Sequence, residues 1–511
     1  LQNFIALLMN VYKIHKKLYY KNAQDKAGFK QIIKQFKVLI FKLFHIKIFL
    51  FFILVFLTGC MKIGQDYQKP DITFKIPATY NNANKSATKA PAFSKKWWQV
   101  FKNHEIDRLV DLAIKNNLDI KKAVARILEV TAQFTQAKSE KYPKINFETG
   151  WKRQSNSILN PLTGKTQNST TTTYTMSIPA KFELDLFGHI ARSKEASYAE
   201  LLREKENCET IALSIVSETI TFYLQTKFIE RKIQITKNEI DNYKKNLDLV
   251  TKRYNRGLTS SLDIRQTRTK LAQAKSEIPS LIHELGTCQQ KISILTGQYP
   301  ETNTPKKQAE NYFKHLEPVP SGLPSDLLKK RPDIRKAEAN LIALNARIGM
   351  AKANRFPKIV LTGAYGFSSR ELGDLVKTNN KFWTLASGLL SPIFNAPKLK
   401  YAHEAAKAHY INAIADYSKI ILTAFFEVEN ALLKRKQELK KRDRIINLLN
   451  EADATYKTAL HKYKNGLVNY STLLQTQQTL FNAQKQLTFS DFTILSNRVS
   501  LHRALGGGWS K

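Results

Sequence analysis

The sequence predicts an α+β membrane protein, internally duplicated, in which very long helices carry barrel-type β-hairpins. Three observations predict it. Two stretches, between Gly188 and Gly257 and between Pro397 and Gly466, each enclose 68 residues without Gly or Pro. Both end in Tyr-x-x-Gly-Leu, and segments of strict apolar/polar alternation follow Pro143 and Pro357.

The helices come first. Pro costs a helix interior about 3 kcal/mol and Gly about 1, so runs lacking both read as unbroken helix. At ~1.5 Å per residue each rod reaches roughly 100 Å, whereas globular helices typically run about 8–20 residues. Such rods imply a coiled coil, a helical repeat or a span between distant places.

The duplication follows from aligning the chain with itself. Asp119-Ile120 meets Asp333-Ile334, Ala137-Lys138 meets Ala351-Lys352, and Tyr142-Pro143-Lys144-Ile145 meets Phe356-Pro357-Lys358-Ile359, all at an offset of 214. Tyr254, Gly257, Gln266 and Leu271 meet Tyr463, Gly466, Gln475 and Leu480 at an offset of 209. The expected organisation has repeats at 104–300 and 323–505. Each is a helix, a hairpin (144–184, 358–391), a long helix (to 256, to 465) and a return helix. A linker at 301–322 joins them and a tail at 506–511 follows.

The strands alternate. Ile145, Phe147, Thr149 and Trp151 oppose Lys144, Asn146, Glu148, Gly150 and Lys152; Tyr174, Met176, Ile178, Ala180, Phe182 and Leu184 oppose Thr175, Ser177, Lys181 and Glu183. Ser155 to Thr173, rich in Ser, Thr and Asn with Pro161 and Gly164, is expected to be an exposed loop. In the second repeat Ile359, Leu361, Gly363, Tyr365 and Phe367 alternate with Val360, Thr362, Ala364 and Gly366, and a less regular strand runs from Phe382 to Leu390. A half-buried hairpin would alternate in the same way. Strands of about 9–11 residues also match membrane barrels, which must close and need about eight strands. Four strands per chain therefore require several copies in one barrel.

The leader tells where this happens. Residues 48–57 are apolar, follow Lys34, Lys37, Lys42 and Lys47, and lead to Leu57-Thr58-Gly59-Cys60. The run is shorter than the ~20 residues of a spanning helix. It reads as a secretory signal over residues 1–59, longer than the usual leader of about 15–30 residues, with Met9 its one Met and the translation start left open. Leu-Thr-Gly-Cys is a lipobox: the Cys60 thiol accepts diacylglycerol and its freed amine an acyl chain such as palmitate. Two or more chains anchor stably, each buried CH₂ contributing about 0.8 kcal/mol.

Losing residues 1–59 removes ten Lys and one Asp from a net charge of +39, leaving about +30. An exported lipoprotein does not meet nucleic acid, and the densest run, Lys434 to Arg442, reads as a solvated helix face. Cys208 and Cys288 fall ~27 Å out of register about a turn at Gly257, too far for a disulfide. Both are expected to be free core thiols. His403-Glu404-Ala405-Ala406 begins like a zinc-protease helix, but Lys407 stands where the second His belongs. No catalytic, cofactor or metal site is expected.

Over residues 60–509 these pieces resemble the TolC-like outer-membrane efflux proteins, in their lipid-anchored branch. The resemblance is carried by Gly64-Gln65-Asp66-Tyr67, Trp97-Trp98-x-x-Phe101, Leu184-Asp185-Leu186-Phe187-Gly188, Arg331-Pro332-Asp333-Ile334, Ser391-Pro392-Ile393-Phe394, the two Tyr-x-x-Gly-Leu turns and Ala504-Leu505-Gly506-Gly507-Gly508-Trp509. It implies a homotrimer: a twelve-strand barrel in the outer membrane, continued by a helical barrel across the periplasm. It also implies an exit duct for drugs or other small molecules, served by a periplasmic adaptor and an inner-membrane pump. Arg256-Gly257-Leu258 and Asn465-Gly466-Leu467 become the adaptor-contacting tips. Ser471 and Gln475 stand where the family often places a Leu and an Asp at a periplasmic gate. Asn395-Ala396-Pro397 replaces a Gly-rich turn. A duct for type I protein secretion and a structural coiled-coil lipoprotein remain as alternatives.

Overall fold

The computed structural model describes residues 62–72, 74–82, 96–159, 164, 166–302, 324–394 and 396–507. In chain order these form α1 (His104–Asn116), α2 (Leu118–Ser139), β1 (Lys144–Ile145), β2 (Glu148–Leu159), β3 (Thr166–Leu184), α3 (His189–Asn255) and α4 (Ser261–Leu295). The second repeat supplies α5 (Pro324–Lys330), α6 (Pro332–Ala353), β4 (Lys358–Ser369), β5 (Lys381–Leu390), α7 (Ala396–Lys464) and α8 (Tyr470–Ala504).

The rods are continuous: α3 has 67 residues and α7 has 69. Their lengths follow from the missing breakers. α3 packs through a buried stripe that recurs every three or four residues, as at Ile229, Ile233, Thr236, Glu239, Tyr243, Asn246 and Val250. α3 lies against α4 and α8, and α7 against α8, so two helical hairpins pack side by side. The duplication is visible in the bounds. α2 and α6 both have 22 residues, and α4 and α8 both have 35.

Three expectations need correction. The single helix ahead of the first hairpin is two, because Asn117 leaves helical geometry, caps α2 by accepting from the Asp119 and Ile120 amides, and donates to the Leu295 carbonyl at 3.0 Å. The expected loop from Ser155 to Thr173 is mostly strand: β2 and β3 stay paired up to Leu159 opposite Thr166. Its Thr-rich run favours extended backbone, and its polar character reports solvent on both faces rather than a missing ladder. Cys208 is only partly buried, unlike Cys288, although both are free.

The sheet is antiparallel, in the order β1/β2, β3, β4, β5. β1 and β2 keep one register on β3 and are separated at Asn146 and Phe147. The interruption lies opposite Pro179. The Asn146 amide donates to the Pro179 carbonyl at 3.0 Å, but Pro179 has no N–H to return. α7 starts at Ala396, with Pro397 in its first turn, where Pro is tolerated. The 301–322 linker falls almost wholly outside the described residues.

Candidate functional site

The register puts one set of side chains on each face of the sheet. Trp151 pairs with Tyr174, Ile178 with Tyr365, and Tyr365 with Trp383; Phe182 pairs with Leu361 and Ile359 with Leu389. Directly opposed residues of an antiparallel pair share a face, so these make one continuous apolar surface. It is uncovered: Trp383 is 75% and Leu385 79% exposed. The paired band from Leu184 to Tyr174 is about 33 Å along the strand, close to the ~25 Å apolar height of a membrane barrel once tilted. Among the described residues no helix is long and apolar enough to cross a membrane. Among the described residues β1/β2 and β5 each leave one edge without a partner strand.

Cys60 lies outside the described residues, but the chain from Lys62 onward is fixed at the foot of the sheet. The Ile63 amide donates to the Phe187 carbonyl at 3.2 Å. Gly188 has φ +76°, and a Cβ there would stand 2.8 Å from the Lys62 Cα, so both conformation and approach require glycine. Arg192, 1% exposed, donates from Nη2 to the Gly64 carbonyl at 2.7 Å, from Nε to the Ile63 carbonyl at 3.3 Å, and from Nη1 to Asp66 at 3.0 Å and Glu195 at 2.9 Å. The segment then packs Tyr67, Ile72, Phe74 and Tyr80 against α6 and α7. Trp97 and Trp98 are buried against α1, α3 and α8.

At the opposite end the two turns are built alike. The Gly257 amide donates to the Tyr254 carbonyl at 2.8 Å and the Leu258 amide to the Arg253 carbonyl at 2.9 Å; Gly466 and Leu467 repeat this on Tyr463 and Lys462 at 3.0 and 2.9 Å. This is the Schellman closure, and φ values of +72° and +76° explain both glycines. Arg256, Leu258, Asn465 and Leu467 are exposed around them. Ser471 and Gln475 are exposed four residues apart on α8, hence on one face. The opposite face turns inward, where Asn246 Nδ2 donates to Gln477 Oε1 at 2.6 Å with both residues buried.

Several polar junctions were invisible in the sequence. Arg331 forks onto Asp333 at 3.0 and 2.7 Å and donates to Glu427 at 2.6 Å and to the Ala504 carbonyl at 2.9 Å. The Arg-Pro-Asp string was the one signal of it. Lys485 lies between Glu239 at 3.0 Å and Glu277 at 2.9 Å, joining three helices. Arg442, from the basic run expected to be solvated, turns inward to Asp491 at 2.6 Å, where burial still pushes the carboxyl above its ordinary range. His403 is buried, with its pKa pushed down by burial and by Lys407. Among the described residues no three His, Cys, Asp or Glu side chains converge as a metal site would need.

These features agree with known proteins. The chain is 29% identical over 463 residues to the solvent efflux pump outer membrane protein SrpC of Pseudomonas putida, covering 90% of this chain and 97% of that one. It is 27% identical over 470 residues to the cation efflux system protein CusC of Escherichia coli O6:H1, covering 91% and 99%. The outer-membrane channel OprN shares the fold at a TM-score of 0.81 and 24% identity, over 88% of this chain and 99% of that one. The outer membrane efflux protein profile matches residues 109–298 and 323–507. The two matched segments take in both long-helix repeats, and on that ground the chain belongs to the outer membrane efflux protein family.

Proposed function

We propose that three copies of this chain close a twelve-strand barrel in the outer membrane, and that their paired hairpins form a helical tunnel through the periplasm. The protein is then the exit duct of a tripartite efflux system, passing small molecules received from an inner-membrane pump through a periplasmic adaptor. The observation that carries this reading is the sheet: four strand positions, β1 and β2 sharing one, with an exposed apolar face and, among the described residues, two unpartnered edges. Hydrocarbon tolerates no open edge, and copies of the same chain supply the missing strands by rotational symmetry.

Cys60 would carry the lipid anchor, held at the membrane surface by the segment that starts at Lys62. Arg256-Gly257-Leu258 and Asn465-Gly466-Leu467 would meet the adaptor, and Ser471 and Gln475 would line the resting gate. Relatives of similar identity are named for solvents and for cations, so likeness alone does not assign cargo. Light scattering in detergent tests the assembly, with a trimer expected. A monomer retaining its β-sheet spectrum overturns the reading.

A further inference from the structure

The sheet face opposite the apolar one carries an excess of lysine. It presents Lys144, Lys152, Lys181 and Lys358 against the carboxylates Glu148 and Glu183. Lys358 is paired with Glu183 at 3.3 Å, and Lys144 with Glu140, at the end of α2, at 3.0 Å. Lys152 and Lys181 form no ion pair among the described residues.

The placement of Lys181 is unusual. It stands directly opposite Lys144 across the β1–β3 ladder. Opposed Cβ atoms lie about 4.5–5.5 Å apart, and like charges there oppose strand pairing. On its other side Lys181 faces Thr362, so the neighbouring strand offers no carboxylate in that row. Glu183, two residues beyond Lys181 on the same face and about 7 Å along the strand, is engaged by Lys358 at 3.3 Å, and Glu148 lies on the order of 13 Å from Lys144. Lys144 is compensated by Glu140, but Lys181 opposes it with no ion partner of its own among the described residues, at the foot of the barrel, and ladder stability does not call for a lysine there.

We infer that the barrel lumen of this protein is an anion path, with a ring of lysines at its helical mouth, and that its cargo class is small solutes bearing carboxylate, phosphate or sulfonate groups. The inference rests on the proposed trimer: closure places the apolar face in lipid, so the lysine face lines water, and three Lys144–Lys181 pairs make one ring. Clefts walled by charge of one sign concentrate ions of the other. Ser471 and Gln475, at the far end, add no carboxylate to oppose it.

The test is the reversal potential of the reconstituted full-length protein in planar bilayers under a tenfold KCl gradient. It does not depend on how often the channel opens, so a closed tip does not mask it. The wild type should reverse toward the chloride potential. Lys144→Glu with Lys181→Glu should move it toward the potassium potential, and Lys181→Gln should fall between. Potassium preference in the wild type, or an unmoved potential in conducting trimers of the variants, overturns the inference while leaving the trimer intact. A monomer that forms no pore overturns the trimer reading and this inference together. Should the Glu variants fail to assemble, Lys181→Gln alone decides.

Discussion

Arg253, in the last turn of α3, closes the end of the other long helix. Its Nη1 donates to the Tyr463 carbonyl at 3.0 Å and to the Lys464 carbonyl at 3.3 Å, and its guanidinium lies 4.8 Å from the centre of the Tyr463 ring. A cation at a helix C-terminus meets both the orphan carbonyls and the negative end of the dipole. The contact is not reciprocal. Lys462, the counterpart of Arg253 at the 209-residue offset, is exposed. One hairpin tip therefore holds the other in place.

Arg253→Ala should loosen this tip by about 1.5–3 kcal/mol, the range for hydrogen bonds to a charged group. Hydrogen exchange should quicken at residues 463–467 and stay unchanged around the sheet. Arg253→Lys keeps the charge but loses the planar fork, so only partial recovery is expected. Unchanged exchange in the Ala variant would show that the Schellman closures suffice alone.

How far the fold was legible in the sequence depended on the kind of signal. Missing breakers announced α3 and α7 to within about two residues at their ends, because helix continuity is a local property. The offsets of 214 and 209 foretold the matched helices for the same reason. The upper halves of β2 and β3 were missed because Ser and Thr on both faces leave no hydrophobic period to read. Arg253, Arg331 and Lys485 were missed as junctions because their partners lie as far as 246 residues away, as for Lys485 and Glu239. Register between hairpins, which no local pattern encodes, decides those pairs. At the candidate site the turns were legible from Gly257 and Gly466, whereas the inward partner of α8, Gln477 on Asn246, was not.

The proposed lipid anchor at Cys60 and the clamp at Arg192 make separable predictions. Cys60→Ser should abolish palmitate labelling while trimers still form, because the segment from Lys62 is held by protein contacts of its own. Labelling at the wild-type level would remove Cys60 as the anchor. Arg192→Met should instead leave labelling intact and cost on the order of 2–3 kcal/mol through lost hydrogen bonds to charge. Limited proteolysis within residues 62–82 should then become faster. Equal cleavage rates in variant and parent would count against the clamp.

His502 makes stability depend on pH. Its ring stacks on Trp97 at a centroid distance of 5.0 Å, and burial, with Arg498 and Arg435 nearby, holds its pKa down to about 3 from an ordinary 6.5. Between those values the fold keeps the imidazole neutral while the unfolded chain takes up a proton. Its contribution is therefore complete above pH ~6.5 and declines as pH falls toward ~3. Thermal melts of the helical signal should shift downward from pH ~7 to ~4. His502→Phe, which preserves an aromatic ring against Trp97, should flatten that slope. An identical slope in both proteins would place the acid sensitivity elsewhere.

The last prediction concerns the proposed gate. Gln475 lies nine residues beyond Gly466 and five beyond Tyr470, about one and a half turns along α8, and Ser471 lies one turn nearer the tip. Both are exposed in the protomer, while the neighbouring Gln477 is buried against Asn246. In a trimer three copies of each would form two stacked rings. A leucine ring closes by apolar contact and an aspartate ring holds cations. Serine and glutamine offer neutral hydrogen bonds, worth about 0.5–1.5 kcal/mol net each. Ser471→Leu should therefore lower the single-channel open probability, and Gln475→Asp should introduce a block by divalent cations that the parent lacks. Both read directly from bilayer recordings. If neither variant departs from the parent, the constriction is built from other residues. Leu262, which occupies the position equivalent to Ser471 on α4 and is 60% exposed, is then the first to substitute.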